Sequence, residues 1–180
     1  MPTRSTLLVL LSLGFIAAGC SRSGENANEI AAPAPVAAPA PLTAAQTKAL
    51  VDELPPAFRN ADLANGEAKF VICRACHTPI QGAGNMTGPN LWGIFGRKAG
   101  TEPGFSYSDS LKKSGIVWNA ELIDKWITNP KAMIPDTKMT YIGMSDATDR
   151  RDLVAYLKTV TSPPPPAAPE APPSAADTSS

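Results

Sequence analysis

Apolar positions recur with a helical period in three stretches of this chain, and no segment alternates as a strand does. Leu63, Gly66, Phe70 and Cys73 fall at i, i+3, i+7 and i+10, one stripe of a helix that Asp62 is placed to cap. Asn119 is placed to cap a second helix, whose Leu122, Ile123, Trp126 and Ile127 share a face before Pro130 ends it. A third starts near Ser145 with Asp146 and Asp149 in its first turn, points Leu153, Tyr156, Leu157 and Val160 inward, and stops at Pro163. A shorter helical turn over residues 108–113 ends at Gly115. The fold class predicted is all-α. Three short helices joined by long connections over 78–90 and 131–144 do not close a core unaided, so something else must fill the centre.

Composition narrows where that centre lies. Eleven of the 19 prolines crowd into residues 31–41 (AAPAPVAAPAP) and 162–174 (SPPPPAAPEAPPS), which carry too little apolar side chain to build a core. Discounting them predicts a Pro/Ala-rich flexible tether over 20–61, one domain over 62–160 and a disordered Pro-rich tail over 161–180. Basic and acidic residues balance at 16 each, and the domain alone holds twelve against ten, so no nucleic-acid partner is predicted.

Residues 1–19 read as a leader. Arg4 precedes an apolar run over 7–18, and Ala17-Ala18-Gly19-Cys20 follows, the charged, hydrophobic and small-residue regions of a secretory signal. The run is too short to span a bilayer, which takes about twenty apolar residues. Small residues ending in a cysteine resemble a bacterial lipobox, in which Cys20 becomes the acylated mature N-terminus; two or three acyl chains there anchor a protein stably. Ala17 departs from the Leu usual in that motif.

The densest chemistry lies in Cys73-Arg-Ala-Cys76-His77. Two thiols three apart followed at once by a histidine form the attachment signal for a c-type haem, with both sulfurs forming thioethers and the imidazole binding iron. A thioredoxin-like redox pair would sit after a strand in a βαβ pattern, which is missing here, and structural zinc wants four ligands where one distant further cysteine remains. His77 is the chain's one histidine, so no other imidazole can serve. With one protein ligand, iron stays open to peroxide or gases; a second strong ligand closes it and favours electron transfer. Met86, Met133, Met139 and Met144 are the candidates.

Here the sequence resembles the class I cytochromes c of the mitochondrial and alpha-proteobacterial type. The resemblance is carried by Ile134-Pro-Asp-Thr-Lys-Met139, Thr87-Gly-Pro-Asn-Leu-Trp-Gly-Ile-Phe-Gly-Arg-Lys98, Pro103-Gly-Phe-Ser-Tyr-Ser-Asp109, Gly115-Ile-Val-Trp118, Asn129-Pro-Lys131 and Asp152-Leu-Val-Ala-Tyr-Leu157, in order and without a gap. It implies a class I cytochrome c fold with three main helices around one haem, joined covalently through Cys73 and Cys76, with His77 and Met139 as axial iron ligands. It further implies that Pro89 offers its carbonyl to the His77 ring, that Arg97, Tyr107, Trp118 and, to a lesser degree, Ser108 bond the haem propionates, and that Thr137 braces the methionine loop. Gly66 and Phe70 match the place where the first helix crosses the last against Tyr156.

The function implied is one-electron carriage, not catalysis, between a quinol:cytochrome c oxidoreductase and a terminal oxidase or reductase. The carrier is expected to be a monomer, exported and lipid-anchored on the periplasmic side of a bacterial membrane. The alternatives are a haem peroxidase or gas sensor with open iron, and an electron-transfer subunit fixed to a dehydrogenase. Three departures stand out: Trp126 replaces a tyrosine that bonds the methionine sulfur, Leu111 an asparagine, and Asp136 a glycine. They predict a thinner polar network beside Met139. Lys131 and Lys138 match docking lysines of the family, whereas Ile72, Met86, Ser145 and Asp146 stand where such lysines are common.

Overall fold

The computed structural model describes residues 41–166. The leader, Cys20, residues 20–40 of the tether and the tail beyond 166 lie outside them. Among the described residues seven helices follow in order: α1 (Ala44–Asp52), α2 (Pro56–Arg59), α3 (Leu63–Arg74), α4 (Asp109–Lys113), α5 (Ala120–Thr128), α6 (Pro130–Met133) and α7 (Ala147–Thr161). No strand forms among the described residues, where one isolated antiparallel bridge joins Lys98 to Val117. None of their helices is long and apolar enough to cross a membrane.

The helix starts follow local chemistry. Asp62 accepts hydrogen bonds from the Ala64 and Asn65 amides at 2.9 and 3.1 Å, Asn119 from Leu122 at 2.8 Å, and Asp146 from Asp149 at 2.8 Å. Each satisfies donors that a helix leaves unpaired, an effect of about 1 kcal/mol. Ser108 caps α4 in the same way, and Gly115 follows it with φ +71°.

The frame is the crossing of α3 over α7. Gly66 permits it, because a Cβ there would lie 2.2 Å from the Asp152 carbonyl oxygen. Phe70, 1 % exposed, packs on Tyr156 with ring centroids 5.7 Å apart. Asp152 is 1 % exposed yet fully engaged: it accepts from the Asp62 amide, the Asn65 side chain and Arg151. Burial by itself would raise its pKa, but those donors together hold its carboxyl below the ordinary carboxylate value.

The tether predicted over 20–61 ends earlier than that reading places it. Residues 44–59 are helical, and Leu50, Val51, Leu54 and Phe58 are buried, with α1 and α2 lying against α7. Those four apolar residues, spaced for one face, outweigh the neighbouring Pro/Ala composition. A further consequence appears on α7: beside the expected Leu153 and Leu157, Val154, Ala155 and Thr161 are buried too, since this helix is covered from more than one side. Glu53 and Lys158 tie the added helices down at 2.6 Å. The tail likewise begins later than 161, for Thr161 is helical and its carbonyl accepts from the Gly93 amide at 2.6 Å.

Candidate functional site

Between the α3–α7 crossing and the long loops lies a largely apolar cavity of about 480 Å³. Cys73, Cys76, His77, Pro89, Arg97, Tyr107, Ser108, Trp118, Thr137 and Met139 all line it. The sequence scatters these ten positions over nearly seventy residues; the fold gathers them on one surface.

One wall begins where α3 ends. The Cys76 and His77 amides both donate to the Cys73 carbonyl, at 3.1 and 2.9 Å, a tight coil that brings two thiols and one imidazole to the same space. His77 Nδ1 lies 2.7 Å from the Pro89 carbonyl oxygen. A carbonyl only accepts, so Nδ1 carries the proton and Nε2 keeps a free lone pair. Burial pushes the His77 pKa down against the opposing pull of that carbonyl, which favours the neutral, metal-binding form. Gly88 lies flat against the ring: a Cβ there would approach Cε1 to 2.4 Å. The loop that holds Gly88 and Pro89 is knotted by Asn90, whose side chain donates to the Ile80 and Ala83 carbonyls and accepts from the Trp92 amide, all within 2.9 Å. Gly88 and Asn90 stand in the Thr87–Lys98 stretch that carries the resemblance, but only the loop geometry reveals what they do.

Another part of the lining comes from α5 and the segment after α6. Thr137 Oγ1 accepts from the Met139 amide at 3.2 Å, turning the methionine inward. Trp126 donates its indole N–H to Met139 Sδ at 3.2 Å and packs edge-on to Trp118, 5.5 Å between centroids. Of the two side-chain bonds at Met139, the indole N–H is the one aimed at the sulfur. The tyrosine-to-tryptophan exchange therefore preserves a donor while removing any acceptor.

At a third edge stand Arg97, Tyr107 and Trp118. Arg97 donates to the Trp92 carbonyl at 3.1 Å and the Asn90 carbonyl at 2.8 Å, and pairs with Glu102, a partner the sequence reading did not single out. Burial raises the Tyr107 pKa, with Arg97 opposing, so the phenol stays a neutral donor at physiological pH. Ser108 is engaged with the Leu111 amide at 3.4 Å, which limits what else its hydroxyl can serve.

This arrangement suits a flat, apolar, iron-bearing ring with a polar edge. The cavity supplies apolar walls, two thiols beside an imidazole, a thioether from the segment after α6, and cationic and phenolic donors for carboxylates. It does not suit a redox dithiol, because burial pushes the Cys73 thiol up to about 11, far from the lowered values of reactive pairs. Nor do His, Cys, Asp or Glu side chains form, among the described residues, a group of three or more placed to hold a metal ion directly, as a zinc site would need.

Comparison with known proteins agrees. The model of the cytochrome c family matches residues 63–161. Cytochrome c2 of Blastochloris viridis is 48 % identical over 97 residues, 54 % of this chain and 76 % of that protein. Cytochrome c of Sesamum indicum is 41 % identical over 111 residues, 61 % of this chain and 96 % of its own. Among solved structures, cytochrome cH from Methylobacterium extorquens superposes with a TM-score of 0.52 at 43 % identity, covering 55 % of this chain and 99 % of that one. The helices α1 and α2 precede the matched region. The chain belongs to the cytochrome c family, and it is an electron-transfer protein, not an enzyme, with one c-type haem attached through its Cys-x-x-Cys-His motif.

Proposed function

We propose that His77 and Met139 are the axial ligands of the haem iron, and that the protein carries single electrons between a quinol-oxidising complex and a terminal oxidase or reductase. Bound haem supplies the one-electron couple, iron passing between Fe(III) and Fe(II). The observation that carries the reading is the pair of hydrogen bonds at the two candidate ligands: Pro89 fixes the His77 tautomer, and Trp126 engages Met139 Sδ, both on the lining of one cavity. A carbonyl on Nδ1 makes imidazole a stronger donor. An N–H on sulfur draws density from a ligand that already favours Fe(II), which raises the reduction potential. Arg97, Tyr107 and Trp118 would take the propionates, whose burial without donors would be costly.

Export and a Cys20 lipid anchor belong to the same proposal, on the leader and lipobox-like sequence. A carrier confined near its partners needs little electrostatic steering. The rim agrees with that: Ile72 and Ile142 border the cavity and are strongly exposed, Ile142 at 90 %, while Lys138 donates to Ser106 at 2.8 Å. Electron-exchange rates should therefore vary little with ionic strength; a steep fall with salt would overturn the tethered-carrier part.

The central test is a redox-resolved visible spectrum of the protein purified from its native membrane. Covalent haem with a methionine-to-ferric-iron charge-transfer band, extracted only by detergent, is the expected result. A five-coordinate ferrous spectrum would overturn Met139 ligation, and release without detergent would overturn the anchor.

A further inference from the structure

Arg97 faces two ways. Its guanidinium lines the cavity, yet three of its N–H bonds are spent behind the wall, on the Trp92 carbonyl, the Asn90 carbonyl and Glu102. Glu102 itself does not border the cavity. Both side chains are mostly buried, 15 % and 18 % exposed, so water screens the pair poorly. Nη1 takes the Trp92 and Glu102 contacts and Nη2 one bond to Asn90, so among the described residues Nε–H and one Nη2–H have no acceptor. Two donors remaining on one guanidinium are what a carboxylate needs for bidentate pairing.

We infer that Glu102 sets the reduction potential: held behind Arg97, it fixes the guanidinium with its free donors available to the cavity and compensates its positive charge. The inference rests on the proposed reading of this edge as the one that meets the haem carboxylates. Physically, an uncompensated arginine would favour the reduced iron and offset the propionates' charge. A carboxylate locked to it cancels much of that field, which stabilises Fe(III) and lowers the potential. Asn90 belongs to the same device, because the residue that supplies its carbonyl to Arg97 also knots the loop carrying Pro89. Tyr107 is the other titratable group beside the pair, and its burial keeps it neutral.

The test is equilibrium redox titration of the haem-loaded full chain and its variants, with thermal unfolding recorded alongside. Glu102→Gln keeps an acceptor for Arg97 but removes the charge; its potential should rise, while Glu102→Asp, which retains the charge, should stay near the parent. Arg97→Gln should shift the potential in the opposite direction. If Glu102→Gln leaves the potential unmoved while Arg97→Gln shifts it, Glu102 is only a structural partner and the inference falls. If Arg97→Gln also leaves it unmoved, this edge does not meet the haem carboxylates and the underlying reading falls with it. A lowered unfolding temperature without a change in potential counts as the first of these outcomes.

Discussion

The two walls of the cavity are held by different means. On the His77 side almost every restraint is backbone to backbone or passes through Asn90: the Cys73 carbonyl takes two amides, Gly88 donates to Cys76 at 2.8 Å, and Leu91 to Thr78 at 2.9 Å. On the Met139 side the ligand candidate depends on two side-chain contacts, the Trp126 indole and the Thr137 hydroxyl. The first wall is a rigid socket fixed by local chain geometry. The second is a lever closed by a few exchangeable groups, so it is where sequence change can tune the site without dismantling it. Trp126 and Asp136, two of the three departures from the family pattern, fall on that second wall.

The largest break in this contrast should come from Met139→Ala, which removes the lever's working end. Carbon monoxide should then combine with the ferrous protein faster by roughly a hundredfold, as expected when an opening step worth about 3 kcal/mol disappears. Stopped-flow mixing measures it, and an unchanged rate would deny Met139 the sixth position. Next is Gly88→Ala in the socket. The added methyl meets a ring already pinned by Pro89, so it should cost about 2–3 kcal/mol of stability, the range for overpacking a tight site, visible as a lower unfolding temperature. A neutral result would mean that the socket yields as readily as the lever.

Trp126→Phe sharpens the comparison at smaller scale. The fused pyrrole ring and its N–H to Sδ are both lost, the hydrogen bond accounting for about 1 kcal/mol of the change. The potential should fall, and the methionine-to-iron band should vanish at a lower temperature than in the parent. Replacing the indole by its benzothiophene analogue, which keeps the shape and lacks the N–H, should reproduce the effect; if only the phenylalanine variant shows it, packing against Trp118 is responsible instead.

The contrast between the walls also explains what was legible in the sequence. Helical periodicity and the caps at Asp62, Asn119 and Asp146 were readable because the interactions that fix them span three residues. Cys73, Cys76 and His77 were readable for the same reason. Met139 was not separable from three other methionines by periodicity or chemistry; the family resemblance singled it out. Asn90 and Glu102 act through loop carbonyls and an arginine whose positions only the folded chain defines. The helices α1 and α2 were missed because a proline-rich neighbourhood hid four apolar residues that find their partner a hundred positions later, on α7.

The finest test is Thr137→Val. Valine matches threonine in shape, so the apolar packing of the loop changes little, but the Met139 amide loses its acceptor at 3.2 Å. That amide is only partly buried, and water can compensate part of the loss, which puts the cost at about 0.5–1 kcal/mol. Global unfolding should scarcely move, because the Thr137 amide keeps its own bond to the Ile134 carbonyl at 3.0 Å. What should move is local: the methionine-to-iron band should be lost earlier on heating than in the parent, while the haem stays attached through Cys73 and Cys76. Thr137→Ser restores the hydroxyl and should restore the band. Were valine and threonine indistinguishable in that band, the lever would be held by Trp126 alone; were global stability to collapse instead, the two walls would form one cooperative unit and the contrast drawn between them would fail.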